Sequence, residues 1–156
     1  MNAQTIPASF GKGLQVVGKD STFYLKAGLR FQNLHVAEWD ENNGELSNYS
    51  SNFMIRRSRF KLNGWILNPK VTYKFEIGFS NKDNSGTNFN ENSSPVNIIL
   101  DAWVAWNFYK NLSIQYGQGK LPGNRERVIS SANLQFVGRS RLNSRFNLDR
   151  DQGVQL

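Results

Sequence analysis

Apolar and polar residues alternate along most of this chain. Between 71 and 80, Val71, Tyr73, Phe75, Ile77 and Phe79 alternate with Thr72, Lys74, Glu76, Gly78 and Ser80. Between 23 and 31, Phe23, Leu25, Ala27, Leu29 and Phe31 take one side, and Tyr24, Lys26, Gly28 and Arg30 take the other. Successive side chains of a strand point to opposite faces, so each such run reads as a β-strand with one apolar and one wet face. The pattern predicts strands over 21–37, 53–67, 71–81, 97–109 and 112–119. The fold class expected is all-β, a single antiparallel up-and-down meander. A soluble sheet hides its apolar face on a second layer; a membrane barrel turns it to lipid and keeps the wet face for its lumen.

The connections carry a second signal. Residues 1–20 read as a lead-in, and residues 38–50 and 81–95 as long polar loops. Leu67-Asn68-Pro69-Lys70 and Tyr109-Lys110-Asn111 read as tight turns, because Pro fixes φ and Asn tolerates turn geometry. Residues 121–149 lose the alternation, and 151–156 read as the start of a further strand. Long and short connections thus alternate, as in outer-membrane barrels with brief periplasmic turns and longer extracellular loops. On that reading the N-terminus is periplasmic and the first strand runs outward. A soluble meander could share the asymmetry by chance.

Composition narrows the chemistry. With no cysteine there is no disulfide framework and no thiolate site. Nineteen Lys and Arg against twelve Asp and Glu give a net charge of +7, which suits anionic partners: nucleic acid, a membrane surface or solutes in a pore. No run of about 18 apolar residues is present to form a transmembrane helix. The mean hydropathy of −0.55 does not argue against a barrel, whose alternating strands score poorly on such scales. The first residues lack the basic and apolar regions of a signal peptide; Asn2-Ala3-Gln4 would fit the remnant of a cleaved one, and an ordinary cytoplasmic start is the alternative.

Catalytic readings are weak. His35 is the only histidine, so no multi-histidine metal site exists. Ser130 and Ser131 lack a nucleophile-elbow context, and Gly117-Gln118-Gly119-Lys120 lacks the spacing of a phosphate-binding loop. Asp101 falls on the wet side of its strand, where a carboxylate suits a Lys or Arg partner better than acid catalysis. No enzyme activity, metal or cofactor is expected.

One combination is more specific. Gly117-Gln118-Gly119-Lys120-Leu121-Pro122 is followed by Arg125-Glu126-Arg127, Ser130-Ser131, Leu134-Gln135-Phe136, Arg139-Ser140 and Asp149-Arg150-Asp151-Gln152-Gly153-Val154-Gln155-Leu156. Together with Arg56-Arg57-Ser58-Arg59-Phe60-Lys61-Leu62-Asn63-Gly64, it resembles the phosphate-selective porin O/P family over about residues 20–156. The resemblance implies a Gram-negative outer-membrane channel of about 16 strands that assembles as a homotrimer. Its expected partners are outer-membrane lipid and small anionic solutes such as phosphate, with no nucleic acid. By position, 121–149 resembles the loop that folds into the lumen and narrows it. Arg125, Arg127, Arg139, Arg141 and Arg145 then become candidates for the constriction. Lys26, Arg30, Arg57, Arg59, Lys61 and Lys74 become candidates for the wall of an anion path, and the alternation itself puts this set opposite the apolar one. The length departs from the family: five strands and a stub leave two open edges, so the chain reads as the N-terminal third or so of a porin, with 1–20 a periplasmic lead-in and 21–156 the first barrel strands.

The alternation makes a sharp division. Phe23, Leu25, Leu29, Phe31, Phe60, Leu62, Tyr73, Phe75, Ile77, Leu100, Val104 and Trp106 are expected on the lipid side, and the basic set with Glu76 on the other. Two further readings compete. A soluble basic β-domain could bind nucleic acid, but that needs aromatics among the cations, and here they fall mainly on the apolar faces. The chain could also be bound as a client or subunit of a larger outer-membrane complex.

Overall fold

A computed structural model describes residues 3–6, 13–80, 83, 98–123, 125–131, 133–136, 138–146 and 150–156. Eight strands form one sheet in chain order: β1 (Ala3–Ile6), β2 (Leu14–Gly18), β3 (Phe23–Asn42), β4 (Glu45–Ile66), β5 (Val71–Gly78), β6 (Ile99–Tyr109), β7 (Leu112–Lys120) and β8 (Arg150–Gln155). Every neighbouring pair is antiparallel. Two short helices, α1 (Arg125–Val128) and α2 (Arg141–Arg145), lie between β7 and β8. The all-β meander expected from the alternation is therefore the fold.

Three features differ from the expectation. The segment 1–20 is more than a lead-in, since it supplies β1 and β2. Residues 38–50 are not a loop: β3 and β4 run on and close a hairpin at Asn43-Gly44, with Asn42 paired to Glu45. Asn43 and Gly44 have φ of 52° and 86°, the left-handed pair that lets a two-residue turn follow the twist of its strands. Most of the expected loop 81–95 lies outside the described residues; Asp83 alone is described there.

The third difference is a β-bulge. Ile77 pairs with Ile99 and Glu76 with Asp101, so Leu100 is the extra residue. An inserted residue reverses parity. Ile99 therefore takes the outward place beside Ile77. Leu100, expected toward lipid, instead turns to the polar side, where its Cδ1 lies 3.1 Å from the point a Cβ on Gly78 would occupy. A second bulge, at Arg56, separates the pairs Gln32–Arg57 and Asn33–Ile55.

The turns at the other end behave as read. Asn68 holds the β4–β5 turn: its carbonyl accepts from Val71 N–H at 3.0 Å and its side chain from Lys70 N–H at 2.8 Å. Lys110 and Asn111 close β6 onto β7, with Tyr109 paired to Leu112. Strands β5, β6 and β7, of 8, 11 and 9 residues, are close to the roughly 9–11 residues that a tilted strand needs to cross a bilayer. Strands β3 and β4, of 20 and 22 residues, are far longer. Among the described residues, β2 pairs with β3 only as far as Ala27 and β5 with β4 only as far as Arg59, so the hairpin continues alone as a two-stranded ribbon.

Burial is inverted relative to a soluble sheet. Leu100 is the one buried hydrophobic residue among those described, whereas Arg57, Glu76, Ser80, Asp101, Ser131 and Asn143 are all buried. The apolar side, with Leu29, Phe31, Val104, Trp106, Ile114, Tyr116 and Val154, is exposed.

Candidate functional site

Residues directly opposite one another on neighbouring strands share a face, so the register itself assembles the polar side. Lys26, Asn63, Lys74 and Trp103 form one row across β3 to β6. Gly28, Lys61, Glu76 and Asp101 form the next. Arg30, Arg59 and Gly78 form a third, and Gln32 with Arg57 a fourth. All six wall candidates thus occupy one face of three adjacent strands.

Their electrostatic surroundings divide them. Arg59 donates to Asp83 (Nε to Oδ1, 3.0 Å) and to Glu76 (Nη1 to Oε1, 3.1 Å). Lys74 pairs with Glu76 at 3.0 Å and also with Asp101. Arg150, at the start of β8, donates from Nε to Asp101 Oδ1 at 2.7 Å. Three cations and three carboxylates cancel here, in a network from β4 to β8. Asp101, only 1% exposed, is its hub. The expectation that Asp101 suits a Lys or Arg partner is met by Lys74 and Arg150.

The other wall cations are not cancelled. Arg57 is buried and donates to the neutral Gln32 Oε1 at 2.5 Å. Arg30 donates to Ser131, to Oγ at 2.9 Å and to the carbonyl at 2.7 Å. Lys26 and Lys61 have no carboxylate partner among the described residues, and Lys61 is exposed. Among the described residues, the β3–β4 side of the face therefore keeps a net positive charge that the β5–β6–β8 side lacks.

Arg30 reaches Ser131 across 101 positions in sequence, which fastens the segment between β7 and β8 to the basic face. A second approach is at Gly138, where an added Cβ would meet the Arg56 guanidinium at 3.1 Å. The segment is then braced from within. Arg139 donates to the carbonyls of Glu126 (3.1 Å) and Ile129 (2.7 Å). The Glu126 carboxylate accepts from Ser140 N–H at 2.7 Å and Ser140 Oγ at 2.8 Å. Ser140 Oγ in turn caps α2, accepting from Asn143 N–H at 3.1 Å. The two hydrogen bonds from Ser140, the backbone one foremost, hold the Glu126 carboxyl below the usual carboxylate range. Burial lowers the Arg139 pKa, and the field of Glu126 opposes that shift.

Of the loop arginines singled out from sequence, Arg139 braces the segment, and Arg125 and Arg141 are exposed. The side chains of Arg127 and Arg145 lie outside the described residues. Sequence reasoning missed Asp83, Ser131 and the Glu126–Ser140 clasp, all from stretches without periodicity. It also missed the inward turn of Arg56, which no pattern marks because the bulge creates it. Among the described residues, no group of three or more His, Asp or Glu is placed to hold a metal ion.

The family model described as phosphate-selective porin O and P matches residues 25–155. No curated protein matches the chain.

Proposed function

The chain belongs to the phosphate-selective porin O and P family, and we propose that its polar face lines an aqueous path for passive diffusion of small anions, phosphate among them, across the bacterial outer membrane. One observation carries this reading: a sheet whose apolar face is exposed and whose polar face holds Arg30, Arg57, Lys26 and Lys61 with no ion pair to a carboxylate among the described residues. Fixed positive charge on a lumen wall lowers the barrier for an anion and raises it for a cation. The segment 121–149 acts as the constriction, held over the wall by Arg30 and Ser131. The turns at 67–70 and 109–112 lie at the periplasmic end with the N-terminus, and the long β3–β4 ribbon rises on the outer side. Both edges, β1 and β8, are paired in the closed barrel, because an unpaired edge in lipid leaves backbone groups without partners. The closed channels assemble as homotrimers.

Reversal potentials of the intact channel in planar bilayers test the reading. An anion-selective potential is expected, weakening as salt rises and the Debye length falls from about 10 Å at 0.1 M to about 3 Å at 1 M. A cation-selective channel would refute it.

A further inference from the structure

We propose that the wall carries a second, uncharged solute site: a trough between β7 and β8 that takes the ring of a neutral sugar. The inference rests on the reading of the polar face as a lumen wall and lies outside the anion route. Facing pairs extend the polar rows onto these two strands. Trp103 lies opposite Gly117, which lies opposite Gly153; Gln115 lies opposite Gln155, and Gly119 opposite Asp151. Three of these positions have no side chain. A cavity of about 210 Å³ occupies the place, and its walls include Gln115, Gly117, Gly119, Asp151, Gly153 and Gln155. All six share the polar parity, whereas Tyr116 and Gln118, on the other face of β7, are not among its walls.

The glycines locate the side chains around the trough. A Cβ on Gly119 would meet Gln115 Nε2 at 3.0 Å, Trp103 Cδ1 at 3.1 Å and Trp103 Nε1 at 3.6 Å, so the amide and the half-buried indole lean over this glycine together. Over Gly153 nothing lies within 4 Å. The result is a slot with an aromatic wall on one side and open space beside it. Among the described residues, the Trp103 indole N–H and the Gln115 and Gln155 amides make no side-chain hydrogen bond within the chain, so they are available to a solute. Chemistry then selects the occupant. The exposed Asp151 carboxylate at one end disfavours an anion. A purely apolar solute would leave two amides and a carboxylate without partners. A sugar ring uses all of them: its C–H face against the indole, and its hydroxyls on amides that both donate and accept and on a carboxylate that accepts. The volume falls below the roughly 300–1,000 Å³ of sites for drug-sized molecules, which suits one ring rather than an extended chain.

The test is the chloride current of the intact channel in planar bilayers as glucose is added, with mannitol, an open-chain polyol, as the control. Glucose is expected to lower the current saturably, and mannitol only in proportion to viscosity. Trp103→Ala should raise the half-blocking glucose concentration by about tenfold, the scale of one lost ring contact. Gly153→Val puts a side chain into the open space without a clash, so it should keep the melting temperature of the unaltered protein and lose the saturable block. Non-saturating behaviour of both polyols in the unaltered channel would overturn the inference, and this arm needs no variant to fold. Saturable block that survives Gly153→Val would overturn the location of the site. Block by uracil but not by glucose would overturn the choice of a sugar. Reversal potentials on the same membranes separate the two readings: anion selectivity without glucose block overturns this site alone, and cation selectivity with glucose block refutes the anion route alone.

Discussion

On β3, Leu29 and Phe31 are 69% and 66% exposed, while Arg57, on the other face of the neighbouring strand β4, is 6% exposed. Water expels apolar area, so a soluble sheet shows the opposite order. On the channel reading proposed above, the inversion assigns the apolar side to hydrocarbon and the polar side, where Arg30 holds Ser131, to the lumen. A second contrast lies within the polar face. Toward β5, β6 and β8, Arg59, Lys74 and Arg150 are cancelled by Glu76, Asp83 and Asp101. Toward β3 and β4, the cations keep their charge. Basic composition alone therefore overstates the field, and the proposed anion route follows the side without ion pairs.

The largest effect should come from putting charge on the apolar face. Leu29→Arg is expected to destabilise the inserted barrel by about 2–4 kcal/mol near the bilayer midplane. Lys61→Gln, on the opposite face of the same sheet, should shift stability by no more than about 0.5 kcal/mol. Urea titration of the liposome-inserted protein measures both, and equal costs would break the comparison.

Next in size is the hub of the cancelled network. Asp101→Asn leaves Lys74 and Arg150 without their shared carboxylate, at an expected cost of about 1–3 kcal/mol. The same change leaves the patch with a net positive charge, so anion preference should rise. Unchanged selectivity would show that the patch lies off the route.

The double variant Lys26→Gln/Lys61→Gln sharpens the second contrast. It should lower the anion-to-cation permeability ratio by about fivefold, the equivalent of roughly 1 kcal/mol between a wall charge and an ion in water. Stability should hold, because neither lysine is ion-paired with a carboxylate among the described residues. Arg59→Gln should do the reverse, weakening the fold by taking a cation from Asp83 and one of two from Glu76 while changing selectivity less.

The smallest effect concerns the clasp between Glu126 and Ser140. A carboxyl held below its usual range stabilises the fold at and above that range, and the contribution is lost as pH falls through the lowered value. Acidification below the ordinary glutamate range should therefore loosen the segment and increase open-channel noise. Glu126→Gln should produce the same noise at neutral pH. Noise that does not change with pH would remove Glu126 from the brace.

The strands were legible because one buried or lipid-facing side imposes alternation, and the face of Lys61 or Phe75 followed from parity alone. The β3–β4 ribbon was not. A ribbon in water needs no apolar face, so residues 38–50 read as a loop, and the only sign of the hairpin was Asn43-Gly44. Leu100 was placed on the wrong side because a bulge shifts parity by one residue without altering composition. The carboxylates of Glu76 and Asp101 could be placed on the wet side from the pattern. That they cancel Arg59, Lys74 and Arg150 could not, because Asp83 and Arg150 arrive from stretches whose positions depend on tertiary contacts. The family resemblance pointed to an inward segment, but only the bond from Arg30 to Ser131 locates its anchor.

Single-cysteine accessibility tests the assignment of the two faces most directly, since the chain has no cysteine of its own. With the intact protein in liposomes, a charged thiol reagent should label Lys26→Cys and Lys61→Cys and leave Leu29→Cys and Leu62→Cys unlabelled. Labelling of positions 29 and 62 with protection of 26 and 61 would contradict it.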